Sequence, residues 1–195
     1  MNYTQLKAAL HAYVHREDAE TTANEDTALE LARANLSRWF FPEELSATLN
    51  PVAFVAGVAA LPADFAAVDV LSTLKYGDFD PMPAREWMRA VMQKQTFGRF
   101  TVLGTNLVVD ASVDATVAAL KYFTQVSVIA GAGTNVVSTK YPDVWLWQAV
   151  AEQHRFVQDF DAADAAQERA LAIGTEAMTR SKGNNAGGSL RMASR

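Results

Sequence analysis

Phe100-Thr101-Val102-Leu103-Gly104-Thr105-Asn106-Leu107-Val108-Val109 reads as two short strands folded back on each other. The β-branched and aromatic residues suit a pleated surface, and Gly104-Thr105-Asn106 supplies the chain reversal of a tight hairpin. Strands are also expected on both sides of it. Val52 to Val58 is short, apolar and bounded by Pro51 and Pro62. In Ala67 to Tyr76, Val68, Val70 and Ser72 alternate with Asp69, Leu71 and Thr73. Thr116 to Val126 gives a further strand, and Ala84 to Gln93 a short helix carrying Trp87, Val91 and Met92. Residues 51–126 are therefore expected to form a β-rich insertion.

Outside this region the apolar period changes from two to 3.6. Leu6, Ala9, Leu10, Tyr13 and Val14 mark an amphipathic helix over Tyr3 to Arg16, with Thr4 as N-cap. Thr22 and Glu25 fit a capping box for a second helix ending near Phe40, whose stripe is Leu29, Ala32, Leu36 and Phe40 before Pro42. After Pro142 the same period runs through Leu146, Ala149, Val150, Gln153, Phe156, Val157 and Phe160, and on to Met178. The expectation is an α+β, mainly α protein: a helical bundle with a β-rich insertion subdomain and an extended C-terminal tail. Residues 1–180 form one domain, with helices over 3–40 and 142–180, and residues 181–195 form a flexible tail.

The composition supports helices packed closely: 35 of the 195 residues are alanine. Cysteine is absent, which excludes disulfides, thiolate metal sites and cysteine nucleophiles. The formal charge of −5 divides unevenly. Arg180, Lys182, Arg191 and Arg195 give the last sixteen residues +4 and leave −9 on residues 1–179. An acidic body is the wrong electrostatic footprint for a general nucleic-acid binder. The uncharged stretches Leu45 to Ala63 and Tyr122 to Thr139 are too polar or too proline-interrupted to span a bilayer. His11, His15 and Arg16 precede any apolar run of signal-peptide length, so no secretory signal is expected.

The candidate chemistry is thin. His11 and His15 have metal-compatible helical spacing, but the glutamate of the metalloprotease helix motif is missing and His154 is the sole other histidine. Gly131-Ala132-Gly133-Thr134-Asn135-Val136 begins like a dinucleotide loop, with Val136 where the third glycine belongs, and reads as a turn. Asp78-Phe79-Asp80-Pro81 lacks the rest of a calcium loop, and Glu43-Glu44 reads as a solvated pair. No catalytic residue, cofactor-binding residue or metal ligand is expected.

The aromatic residues carry more. Trp39-Phe40-Phe41, and Trp145 and Trp147 around Leu146, cannot all face one core. They either cover the joint with the β insertion or form a subunit interface through Trp39, Phe41, Trp145 and Trp147. In the tail, glycine and asparagine lead to Leu190-Arg191-Met192, which is either a disordered end or an anchor that orders on a partner.

Taken in order, these motifs resemble the head-to-tail adaptor (connector) proteins of tailed bacteriophages and gene transfer agents. The resemblance covers nearly the whole chain. It is carried by Thr4-Gln5-Leu6-Lys7, Val55-Ala56-Gly57, Leu61-Pro62-Ala63-Asp64-Phe65, the hairpin, and Lys121-Tyr122-Phe123. Thr134-Asn135-Val136-Val137, Tyr141-Pro142-Asp143-Val144-Trp145-Leu146, Val157-Gln158-Asp159 and the glycine-rich tail complete it. Asp110-Ala111-Ser112-Val113 departs from the family in lacking a proline after the hairpin, and Asp78 to Arg89 is richer in proline and helix formers. The resemblance implies a structural virion protein, not an enzyme, made in the host cytoplasm and placed in the neck between capsid portal and tail. It implies a homo-oligomeric ring of about twelve copies under the portal vertex. The implied partners are the portal protein, tail or nozzle and stopper proteins, and genomic DNA passing through without sequence-specific binding, with no membrane. Lys182, Leu190, Arg191, Met192 and Arg195 become the expected portal-docking residues. The alternatives are a virion-associated enzyme such as a small cell-wall hydrolase, with Glu43 as its acid, or a host helical interaction protein.

Overall fold

The structure is a computed structural model that describes residues 1–15, 18–73, 76–110, 112 and 118–189. In chain order the elements are α1 (Tyr3–Val14), α2 (Ala19–Trp39), a 3-10 turn (Glu43–Leu45), β1 (Ser46–Leu49), β2 (Val58–Ala60) and β3 (Phe65–Thr73). Then come β4 (Gly77–Asp78), β5 (Asp80–Pro81), α3 (Ala84–Met92), β6 (Arg99–Leu103), β7 (Asn106–Val109) and β8 (Ala118–Thr124). The chain closes with α4 (Val136–Lys140), α5 (Pro142–Phe156) and α6 (Phe160–Ser189). They fall into two compact units, one of Met1–Leu45 with Gln125–Arg195 and one of Ser46–Thr124.

In the first unit α5 is the central helix and packs against α1, α2, α4 and α6. Leu6, Leu10, Leu29, Leu36, Phe40, Trp145 and Ala149 are buried in its core. On α6 the buried residues Ala163, Ala166 and Ala170 are followed by buried Gly174 one turn on. That small-residue stripe lets the helix backbone approach its neighbours closely, which is where the alanine content is used. Pro142 opens α5 at its first turn, where a missing N–H costs nothing. Both capping expectations shift. The N-cap of α1 is Asn2, in a box with Gln5, and Thr4 Oγ1 donates to the Gly131 carbonyl instead. The N-cap of α2 is Asp18, which accepts from Thr21 N–H at 2.8 Å. Glu25 lies inside that helix, buried, with its carboxylate 2.7 Å from His11 Nδ1.

The second unit contains two four-stranded sheets, ordered β1-β8-β3-β4 and β2-β7-β6-β5. Among the described residues all strand pairings are antiparallel except β5 with β6. The hairpin pairs Phe100 with Val109 and Leu103 with Asn106. Of its two turn residues Gly104 has φ 61° and Thr105 has no positive φ, the pattern of a type II′ turn. Phe100, Leu107 and Val109 from this hairpin join Leu71, Leu120, Tyr122, Val52 and Phe54 in one apolar cluster.

The expected mainly α helical bundle with an extended tail is corrected on two counts. The described chain is 51% helix and 21% strand, with two separate sheets, so it is a mixed α/β fold. The last helix also does not stop near Arg180 but continues to Ser189. Low-propensity Gly183, Gly187 and Gly188 argued for an earlier end, and the structure overrides that local preference. Among the described residues no helix is long and apolar enough to cross a membrane.

Candidate interaction site

The four aromatic residues expected at a subunit interface are placed individually. Trp145 is 1% exposed and donates its indole N–H to the Leu29 carbonyl at 3.1 Å, so it is a core residue and is removed from the interface set. Trp147 is half-buried between two helices: Tyr13 of α1 meets it edge-on at 5.0 Å, and the Arg169 guanidinium of α6 lies 4.1 Å from its ring centre. Trp39 is half-buried with its ring against Gly174 and Phe40. Phe41 is half-buried, and its N–H points at Met178 Sδ, 3.3 Å away. Within their own unit, these side chains tie α1, α2 and the loop after it to α5 and α6.

Beside them lies a polar clasp that the sequence reading missed. Ser181 of α6 donates its hydroxyl to Glu44 Oε2 at 2.5 Å and accepts the Glu43 N–H at 2.9 Å. Lys140 Nζ reaches Glu44 Oε1 at 3.2 Å, and the Tyr141 hydroxyl also bonds to this carboxylate. Burial pushes the Glu44 carboxyl up, but hydrogen bonds from Ser181, its own backbone, Tyr141 and Lys140 outweigh it and bring the pKa down to about 2. Burial and the Glu44 carboxylate together raise the Tyr141 hydroxyl. The pair Glu43-Glu44 is thus not simply solvated: both residues anchor the far end of α6. A groove of about 430 Å3 runs alongside, lined by Tyr141, Pro142, Ile173, Ala177 and Arg180 among others. Two glutamates immediately before a turn gave no signal for this, because the partner lies 137 residues away in the chain.

Of the portal-docking residues, Lys182 is exposed one residue beyond the clasp. Leu190, Arg191, Met192 and Arg195 lie outside the described residues. The glycine loop is a turn whose carbonyls face a helix. Gly131 O accepts from Thr4 N–H at 3.2 Å and Gly133 O from Tyr3 N–H at 3.3 Å, so it presents acceptors to the start of α1. His15 caps the end of α1 in the left-handed region while His11 pairs with Glu25, so the two histidines do not converge. Among the described residues no group of three His, Cys, Asp or Glu side chains is placed to hold a metal ion.

The chain matches no protein-family model and none of the curated proteins with which it was compared.

Proposed function

We propose that this chain is a head-to-tail adaptor of a tailed phage or gene transfer agent, a structural ring component that joins the portal to the tail. The observation that carries the reading is the course of α6. A thirty-residue helix packed on α5 is clasped at Ser181 and leads directly into the basic C-terminal segment. A segment held at its root and charged at its end is suited to reach a neighbouring protein, and a ring multiplies many such weak contacts. The sequence motifs quoted above support the same role. So does the acidic body, which would repel the phosphates of passing DNA. The proposed place is the virion neck, and the proposed partners are the portal, tail-side neck proteins and further copies of the chain.

Electron microscopy of the protein mixed with its portal tests this. The expected result is an added ring of about twelve copies below the portal. A portal with no added density overturns the proposal.

A further inference from the structure

α3 buries only one of its faces. Trp87 and Ala90 point inward, whereas Met88 and Met92, the latter 88% exposed, share an outer face with Arg85 and Arg89, and half-exposed Val91 lies between that face and Trp87. Phe97 extends the apolar surface just past the helix. Arg85, Arg89, Lys94 and Arg99 are all exposed, and none forms an ion pair among the described residues. With Glu86 they give residues 84–99 a charge of +3, while the rest of 46–124 carries −4. A basic surface with exposed methionines at i and i+4 is suited to meet an acidic, partly aromatic one.

The first unit carries such a surface. At the α5–α6 corner Phe156 and Phe160 are exposed, the latter 64%. Beside them a hollow of about 330 Å3 is lined by Asp18, Glu20, Thr21, Phe156, Val157 and Gln158. Residues 156–168 add Asp159, Asp161, Asp164 and Glu168 without a single base.

We infer that the outer face of α3 docks on the α5–α6 corner of a second copy of this chain. The two surfaces are opposite in charge, and each exposes apolar side chains of the kind that buries on contact. Arginine can lie over the phenyl faces and methionine against their edges. Because the two surfaces differ, the contact is head-to-tail and repeats from copy to copy, which gives a ring when the rotation closes. The inference rests on the proposed adaptor role for its setting, but the contact stands on the chemistry of the two surfaces.

The natural absence of cysteine makes the test direct. Met92→Cys protein and Phe160→Cys protein are mixed, oxidised, and analysed by non-reducing gel and mass spectrometry, in solution and on the portal. The expected result is a covalent dimer in the mixture at least about tenfold above either variant alone, and a ladder of higher oligomers from the double variant. Arg85→Glu with Arg89→Glu in the Met92→Cys chain should remove the dimer, and Asp159→Arg with Asp161→Arg in the partner should restore it. The inference is overturned by no disulfide in either setting, by equal dimer from a single variant, or by a double variant that closes internally as a monomer. A ring on the portal without the crosslink sinks the contact and leaves the adaptor role. A crosslink with no ring on the portal does the reverse.

Discussion

Gly174 offers the sharpest test of the packing in the helical unit. A Cβ built there would lie 2.5 Å from Trp39 Cη2 and 2.6 Å from Cζ3, closer than carbon atoms tolerate, with Phe40 Cδ2 next at 3.4 Å. Two terms oppose each other in Gly174→Ala. Alanine is preferred over glycine inside a helix by about 1 kcal/mol. Forcing a methyl into a filled space costs about 1–3 kcal/mol. The indole cannot swing away freely, since it is already wedged against Phe40 with ring centres 5.6 Å apart. The net expectation is a loss of about 1 kcal/mol, visible as a lower urea midpoint at unchanged slope. In a Trp39→Ala background the clash is gone and only the helical preference remains. There the same substitution should stabilise by up to about 1 kcal/mol, a coupling of about 2 kcal/mol across the cycle. Urea unfolding of the four proteins, followed by circular dichroism, measures both signs. If Gly174→Ala has the same effect in both backgrounds, the close approach of α6 to Trp39 does not determine stability and the reasoning fails.

The Glu44 clasp sets an acid limit. Its folded-state pKa lies below the ordinary glutamate value, so its stabilisation is complete above about pH 4.5 and is lost as the pH falls towards 2. Melting curves between pH 2 and 7 should therefore show a shallower acid limb for Glu44→Gln than for the natural chain, and identical limbs would remove this role. Gln153 is fully buried, donates to the Thr21 carbonyl at 2.7 Å and accepts from Asn24 at 3.1 Å. Gln153→Leu strands both partners and should cost about 1–3 kcal/mol in urea unfolding, a neutral result showing the network to be dispensable. Deleting Gly183 to Arg195 should weaken attachment to the portal in a pull-down while leaving the melting temperature within about a degree, because the clasp at Ser181 is retained. Undiminished attachment would remove the docking role of that segment.

Local patterning located the elements that have a strong period of their own. The hairpin at Phe100 to Val109 forms as expected because its alternation and its glycine turn agree. Helices with apolar stripes, from Leu6 and Leu10 in α1 to Ala163 and Ala170 in α6, are likewise legible. Three features escaped. Val52 to Val58 reads as a strand, yet positive φ at Ala56 and Gly57 bends it into a turn closed by an antiparallel bridge between Val55 and Val58, and strand β2 begins at Val58. β1 is four residues long with two exposed, so it carries no period, and its place is set by β8 across the sheet. β4 and β5 have two residues each, too few to leave a signature. The two sheets, which overturned the helical-bundle expectation, have these weakest strands at their edges. At the candidate site, aromatic residues were conspicuous in sequence, but which of them are buried depends on the rotation of α5. The clasp depends on chain segments far apart in number. Neither is written in a local pattern.

The clasp also fixes where mechanical load enters the molecule. Helix α6 extends eight residues past Ser181, a cantilever of about 12 Å. A pull on the C-terminus travels along that helix as axial tension and reaches Ser181 first. There it passes sideways through the bonds to Glu43 and Glu44, one residue short of where the chain leaves the helical unit at Leu45. Those bonds are loaded in parallel with the packing of Met178 and Trp39, so the first point of yield is a polar contact at the end of the helix, not the apolar core behind it. Tension applied at the C-terminus is then met by the polar contact at the root of the helix before it reaches the buried core.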